Sequence, residues 1–390
     1  MQTTLFDPHR VADVLDQNDI EALVATTAPN VQYLTRYRRG NATALLKRKA
    51  LDRPIAYVPA NTIAYTLEDP LDGLEVRPYG FFVRYFADEL NEREERMRQM
   101  HEATRRDASA WDLLAESLTE AGLASATVGT DGYVESLTPL AERLPNLRIQ
   151  SRSDIFRRLR MVKTADEIKR LAEAARITEH AIVTSVQSAF LGCTQQHLSR
   201  IYNHVVVEAN AITRQDNASI DRGGSFGNLN TPSDVVQDGS IIRYDVGVHY
   251  KGYASDIARC FAFRTVSDGA RRIQDALVAG LERALELIRP GAIAADIFDA
   301  AVAATRRAGL PDYDRSHVGH GIGTAGAGYE APDLKPGDQT PLEAGTVLCV
   351  ETPYSEVGYG GLQVEDMLVV TETGYDLLSH TPRGIQVVPS

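Results

Sequence analysis

Hydrophobic and polar positions follow two different regimes along this chain. In the first part, short apolar runs and helix-like patches take turns. Residues 11–17 read as the start of a helix, Ala22-Leu23-Val24-Ala25 as a buried strand, and Ala28-Pro29-Asn30 as a turn. Pro54-Ile55-Ala56-Tyr57-Val58 is a second strand bounded by proline. Over residues 86–118 apolar and charged residues recur at helical spacing, with Glu92, Arg93, Glu94, Glu95 and Arg96 as a solvated face. A short strand at 127–129 and a helix ending at 141–144 complete the alternation, which predicts an α/β domain.

Near Arg157-Arg158-Leu159-Arg160 the pattern changes. Thr164 with Glu167 three residues on forms a capping box that opens a long helix through residue 186, and a second helix covers 195–210. A loop rich in Gly, Asn and Ser spans 223–233. Two β-hairpins follow, at 240–263 around Tyr250-Lys251-Gly252 and at 346–371 around the glycines of 358–361. Helices at 272–288 and 293–308 lie between them, broken by Arg289-Pro290-Gly291. Two hairpins, each preceded by helices, suggest an internal duplication, although no residue-level repeat is visible. The expected domains are residues 1–158 and 159–390.

Composition narrows the class. With 43% hydrophobic and 24% charged residues over 390 positions, a soluble protein with large cores and no disulfide staples is expected. Cys193, Cys260 and Cys349 are an odd number without a CxxC pair, and read as reduced core residues of a cytoplasmic protein. A net charge of −12 argues against nucleic acid as a partner. No long apolar run marks a signal peptide or a membrane span.

The chemistry lies in acids that interrupt apolar strands. Asp245 and Asp256 are set among Ile241, Ile242, Val246, Val248, Ile257 and Phe261. A two-residue loop of Tyr250 and Lys251 would put them directly opposite each other, about 5 Å apart at Cβ. Glu351 follows Val347-Leu348-Cys349-Val350, and Glu365 sits within Leu362-Gln363-Val364 and Asp366-Met367-Leu368. Buried carboxylates this close repel one another unless neutralised. A divalent cation would resolve the conflict, with His320 of Gly319-His320-Gly321-Ile322-Gly323 as a nitrogen donor. The competing structural reading has Arg243 and Arg259 neutralising two of the acids. Any one acid alone is ordinary, but five such residues in this order favour a metal centre.

These residues carry a resemblance to a known family. Asp245-Val246-Gly247, then Lys251-Gly252-Tyr253-Ala254-Ser255-Asp256-Ile257-Ala258-Arg259, the Gly319–Gly323 stretch, Glu351-Thr352-Pro353 and Val364-Glu365-Asp366 resemble the pita-bread superfamily of aminopeptidase P, prolidase, methionine aminopeptidase and creatinase. Pro29-Asn30-Val31-Gln32-Tyr33-Leu34 is similar to the creatinase-type N-terminal domain. The resemblance implies an α+β protein, with a C-terminal pita-bread (creatinase/aminopeptidase) domain preceded by an α/β creatinase-type domain. It further implies a homodimer and two divalent metal ions, manganese favoured over cobalt, iron or zinc. Asp245 would hold one ion, Asp256 and Glu365 would bridge both, and His320 and Glu351 would complete the second. Glu351 would also shuttle a proton to the leaving nitrogen.

The sequence departs from the family's peptidases around that set. Asn228 and Tyr329 stand where they keep histidines, Ser316 stands at a third histidine with His317 displaced by one, and Gln363 replaces an arginine. Asn228 and Tyr329 are thus expected beside Glu351 in catalysis, and His317, Tyr329 and Gln363 in substrate binding. The implied function is a dinuclear metal-dependent hydrolase of Xaa-Pro dipeptidase or aminopeptidase P type, acting on a short peptide. The alternative is a non-peptide C–N hydrolase or lyase for a small metabolite, like creatinase, ectoine hydrolase or dimethylsulfoniopropionate lyase. A metal-binding interaction module is the third reading.

Overall fold

The computed structural model describes residues 6–226, 234–324, 326 and 328–389. The chain divides into two compact units, Met1–Arg160 and Met161–Ser390. Among the described residues no helix is long and apolar enough to cross a membrane.

The first unit is built on a six-stranded sheet in the order Glu75–Tyr79, Ala50–Pro59, Thr43–Lys47, Ala22–Ala25, Thr127–Thr130, Arg148–Ser151. The strand Ala22–Ala25 pairs antiparallel with Thr43–Lys47 and parallel with Thr127–Thr130, so the sheet is mixed. Its residues are buried on both faces, one set packing with Val11, Leu15 and Leu34, the other with Leu113, Leu114 and Leu118. That double burial explains a continuous apolar run in place of alternation.

Two expectations in this unit are corrected. Ala28-Pro29-Asn30 opens a helix, Ala28–Thr35, rather than forming a turn; Pro29 occupies its first turn, where no N–H is needed. The helical pattern over 86–118 is two helices, Glu92–Glu102 and Ala110–Glu120. Each is started by its own capping box, Asn91 with Glu94 and Ser109 with Asp112, and the second box ends the possibility of one continuous helix.

The second unit places two helix pairs against an eleven-stranded sheet. Thr164 and Glu167 form the reciprocal capping box that opens Ala165–Gln187; Gln195–Glu208 follows it. These helices pack on the strand Ile241–Tyr250, on the face away from Asp245, through Leu171, Ile182 and Val206 in one cluster with Ile242, Tyr244 and Val246. The helices Asp268–Leu287 and Ala294–Arg307 pack on the strands Val347–Glu356 and Gly360–Val370, on the face away from Glu351 and Glu365, through Leu277, Leu281 and Phe298 in one cluster with Leu348, Val350 and Leu368. The central path runs Tyr253–Ala254, Ile241–Tyr250, Ile257–Phe263, Gly360–Val370, Val347–Glu356, Gly319–Gly321, Glu330–Asp333. The two hairpins are therefore joined edge to edge through Ile257–Phe263 and Gly360–Val370.

The first hairpin's register differs from the expected one. Tyr250 pairs with Tyr253, so the turn is Lys251-Gly252, both at positive φ (44° and 84°), and Ala258 lies opposite Asp245. Glycine takes that conformation at no steric cost, which draws the two-residue turn onto Lys251-Gly252. The slip is two residues, so Asp256 keeps the face of Asp245 and becomes its diagonal neighbour.

Candidate metal centre

The ladder brings the five expected ligands onto one face of the sheet in two adjacent rows. Asp245 is opposite Ala258, Ala258 opposite Glu365, and Glu365 opposite Glu351. Two residues along each strand, on the same face, come Asp256, Met367, Cys349 and, opposite Cys349, His320. The small side chain of Ala258 lies between carboxylates that would otherwise be crowded by a core residue.

Ligand atoms of Asp245, Asp256 and Glu365 lie within 4.8 Å of one another, as do those of His320, Cys349 and Glu365. Glu365 belongs to both groups. His320 Nε2 is 3.9 Å from Asp256 Oδ2 and 4.0 Å from Glu365 Oε1. Its Nδ1 lies 3.0 Å from the Gly321 carbonyl, which can only accept, so Nδ1 carries the proton and Nε2 offers its lone pair to the acids.

The electrostatics are those of a cation site. Burial, then the charge of Asp256, raises the Asp245 carboxyl; burial also raises Asp256 against the pull of Arg214; burial with three neighbouring acids drives Glu365 well up. Burial pushes the His320 imidazole down to about 4, keeping it neutral and available as a donor. Glu351 differs. Burial raises it, but the hydrogen bond from His317 and the charge of Arg315 outweigh that and hold it below the ordinary carboxylate range. Burial keeps the Cys349 and Cys260 thiols protonated, so neither is a thiolate nucleophile.

The remaining expected residues divide. His317 Nε2 lies 2.8 Å from Glu351 Oε1, and its Nδ1 is 3.0 Å from the hydroxyl of Ser316. Gln363 donates to Glu351 Oε2 at 3.2 Å. Tyr329 is half exposed and stacks on His320. Asn228 lies outside the described residues.

The arginines of the competing reading act differently: the charge of Arg243 partly offsets Asp245, while Arg259 is engaged elsewhere. Arg259 pairs with Asp366 at 2.5 Å and donates to the carbonyls of Glu365 and Thr381, and Arg243 donates to Gln363. Arg214 is a cation in direct contact, its Nη1 2.5 Å from Asp256 Oδ2, and Gln215 donates to Asp245 and Asp256. Sequence reasoning passed over both residues, because Ile212–Asp216 is a mostly polar strand with no apolar alternation to reveal it.

The model of metallopeptidase family M24 matches residues 169–372. A Lactobacillus helveticus protein named Xaa-Pro dipeptidase is 28% identical over 240 residues, which are 61% of this chain and 65% of that protein's length. Among solved structures, an X-Pro aminopeptidase of Thermotoga maritima superposes with a TM-score of 0.78 at 19% identity, covering 98% of this chain and 99% of its own. A dipeptidase of Mycobacterium ulcerans superposes at 0.77 with 25% identity, covering 98% and 97%. The curled antiparallel sheet with its preceding α/β unit is thus the pita-bread architecture.

Proposed function

Because this chain belongs to metallopeptidase family M24, we propose that it hydrolyses Xaa-Pro dipeptides or N-terminal Xaa-Pro bonds with divalent ions held by Asp245, Asp256, His320, Glu351 and Glu365. The observation that carries this reading is the cluster of four acids, three in one row and Asp256 in the next, beside one neutral imidazole. Even with Arg214, Arg243 and Arg315 nearby, the carboxyls of Asp245, Asp256 and Glu365 stay raised, which calls for further positive charge, and their hard oxygen donors with one nitrogen fit manganese, cobalt, iron or zinc, manganese first. Asp245, Asp256, His320, Glu351 and Glu365 would together hold two such ions.

Bound there, the ions would polarise the scissile carbonyl and activate the attacking water. The chain's own groups do the rest. Glu351, kept ionised by His317, takes the water's proton on a carboxylate oxygen and passes it to the leaving nitrogen. Gln363 holds the other oxygen of Glu351. The hydroxyl of Tyr329 is a donor for the developing oxyanion, with Asn228 in the same role. His317 and Gln363 border the substrate. On this reading residues 1–158 form a creatinase-type domain, and the protein works as a cytoplasmic homodimer.

A second reading follows from Tyr329. Its ring lies on His320, a covering unlike the hydrogen-bonding histidine of the family's peptidases, and this favours a small non-peptide C–N substrate fitted to the altered surroundings. The test is proline release from a panel of Xaa-Pro dipeptides by manganese-loaded protein, with Glu351→Gln alongside. Turnover that falls by about a hundredfold or more in the variant supports the peptidase reading. Metal uptake without turnover overturns it in favour of small amides, amidines or betaines.

A further inference from the structure

Between the helix Ala294–Arg307 and the strand Gly319–Gly321 the chain makes an irregular passage that carries Tyr313 and Arg315. The passage is pinned at Tyr313. Its N–H donates to the Leu310 carbonyl at 2.9 Å, and its carbonyl accepts from Arg306 Nε at 2.7 Å. Tyr313 and Arg315 line a cavity of about 380 Å³, to which Leu310, Pro311 and Pro353 give an apolar side. Pro353 follows Glu351 by two residues in the strand Val347–Glu356, so the cavity adjoins the carboxylate–histidine cluster.

Two donors of this cavity are unused within the fold. Tyr313 is 6% exposed, and its buried hydroxyl has no hydrogen-bond partner among the described residues. Burial raises its phenol above the ordinary range, so it keeps its proton and can donate; Arg315 and Glu351 are the charges it feels. The Nε of Arg315 is likewise buried without a partner among the described residues. Leaving such groups unpaired is costly, which favours a ligand that accepts from both. Arg315 Nη2 stands 3.9 Å from Glu351 Oε1, beyond hydrogen-bond length, whereas His317 Nε2 is 2.8 Å from that oxygen. The guanidinium therefore keeps its planar fork of N–H donors, the shape that matches a carboxylate. Asp312 and Asp314 border the same cavity from exposed positions, where water and salt screen their charge, and Asp314 faces Arg306 at 3.6 Å.

We propose that Arg315 and Tyr313 form the subsite for the leaving half of the substrate and bind a carboxylate carried there. The inference rests on the hydrolase reading above and narrows its substrate. On that reading Glu351 passes a proton to the leaving nitrogen, and Arg315 stands beside Glu351. A carboxylate on the carbon next to that nitrogen, or on a short side chain there, falls within reach of the guanidinium and of the Tyr313 hydroxyl. The apolar side of the cavity takes the carbon skeleton. The carboxylate has two sources. A free C-terminus makes the chain selective for dipeptides over longer peptides; an acidic side chain makes it selective for acidic leaving residues.

The test is calorimetric titration of manganese-loaded protein with L-proline, L-prolinamide and glutamic acid α-amide, alongside hydrolysis of Ala-Pro and Ala-Pro-amide. Proline bound about tenfold or more tighter than prolinamide assigns the subsite to a free C-terminus; the same advantage for glutamic acid α-amide assigns it to an acidic side chain. Arg315→Met should abolish the advantage, and Arg315→Lys, which keeps the charge without the fork, should retain part of it. Tyr313→Phe should reduce it about three- to tenfold, and serves if Arg315→Met fails to fold by circular dichroism. If the source is the C-terminus, Arg315→Met should raise KM for Ala-Pro about tenfold or more with kcat within about threefold, and leave Ala-Pro-amide unaffected. No advantage for either carboxylate, or an advantage unchanged in folded Arg315→Met, overturns the proposal. An Arg315-dependent advantage in protein that cleaves no Xaa-Pro peptide upholds the subsite and overturns the peptidase reading, so the two failures are told apart.

Discussion

The ring of Tyr329 lies nearly flat on the imidazole of His320, with centroids 3.6 Å apart and planes 14° from parallel. The His317 ring stands 5.6 Å from the same tyrosine. Stacking fixes the plane in which His320 can present Nε2, while the Gly321 carbonyl fixes which nitrogen is free. Tyr329 thus has two separable parts, a ring that lies on the proposed ligand His320 and a hydroxyl.

The two parts predict different phenotypes. Tyr329→Phe keeps the ring and should lower kcat by about ten- to a hundredfold with metal content unchanged. Tyr329→Ala should also weaken metal binding, because His320 loses its support. Steady-state kinetics with metal analysis separates them; a Phe variant as active as wild type would show that the hydroxyl is idle.

Part of this was legible in the sequence, for a definite reason. An acid in an apolar strand is costly unless neutralised, so Asp245, Asp256, Glu351 and Glu365 could be singled out without knowing their distances. The capping box of Thr164 and Glu167 likewise marks a helix start by local chemistry alone. Register was not legible to better than two residues, because moving the turn from Tyr250-Lys251 to Lys251-Gly252 leaves every side chain on the same face. Arg214 was missed because a bulge between Thr213 and Gln215 breaks the period by which strands are recognised. The stacking of Tyr329 on His320 depends on the pairing of Gly319–Gly321 with Glu330–Asp333 and on the register shift between His320 and Gly321, which strands this short do not reveal by periodicity.

Glu167 predicts a pH dependence of stability. Burial raises its carboxyl from 4.5 to about 7, against partial relief from Thr164 and Lys163. Between those values the folded chain binds the proton that the unfolded chain has released. Stability from this group is therefore full below about pH 4.5, falls as pH rises towards 7, and is level above. Glu167→Gln should raise stability relative to wild type by about 1–3 kcal/mol at pH 8 and much less at pH 5. Urea unfolding at the two pH values measures the difference; an equal effect at both would place the Glu167 carboxyl near its ordinary value.

Two glycine substitutions should act with opposite sign. At Gly247 a Cβ would stand 2.0 Å from the Ser255 carbonyl oxygen, so Gly247→Ala must push apart the strands that carry Asp245 and Asp256. A loss of about 3 kcal/mol is expected. At Gly269, in the first turn of Asp268–Leu287, the nearest atom is the Tyr359 hydroxyl at 3.6 Å, an ordinary contact. There Gly269→Ala should gain about 0.5–1 kcal/mol from helix propensity. Denaturant midpoints of the two variants check both signs at once.

The claim on which the account depends is that one sheet face gathers Asp245, Asp256, His320, Glu351 and Glu365 around divalent ions. Anomalous diffraction from crystals grown with excess manganese tests it most directly. The account predicts two anomalous peaks, one among Asp245, Asp256 and Glu365 and one among His320, Glu351 and Glu365, both lost in Glu365→Ala. Crystals with no anomalous density between these side chains at saturating manganese would contradict it.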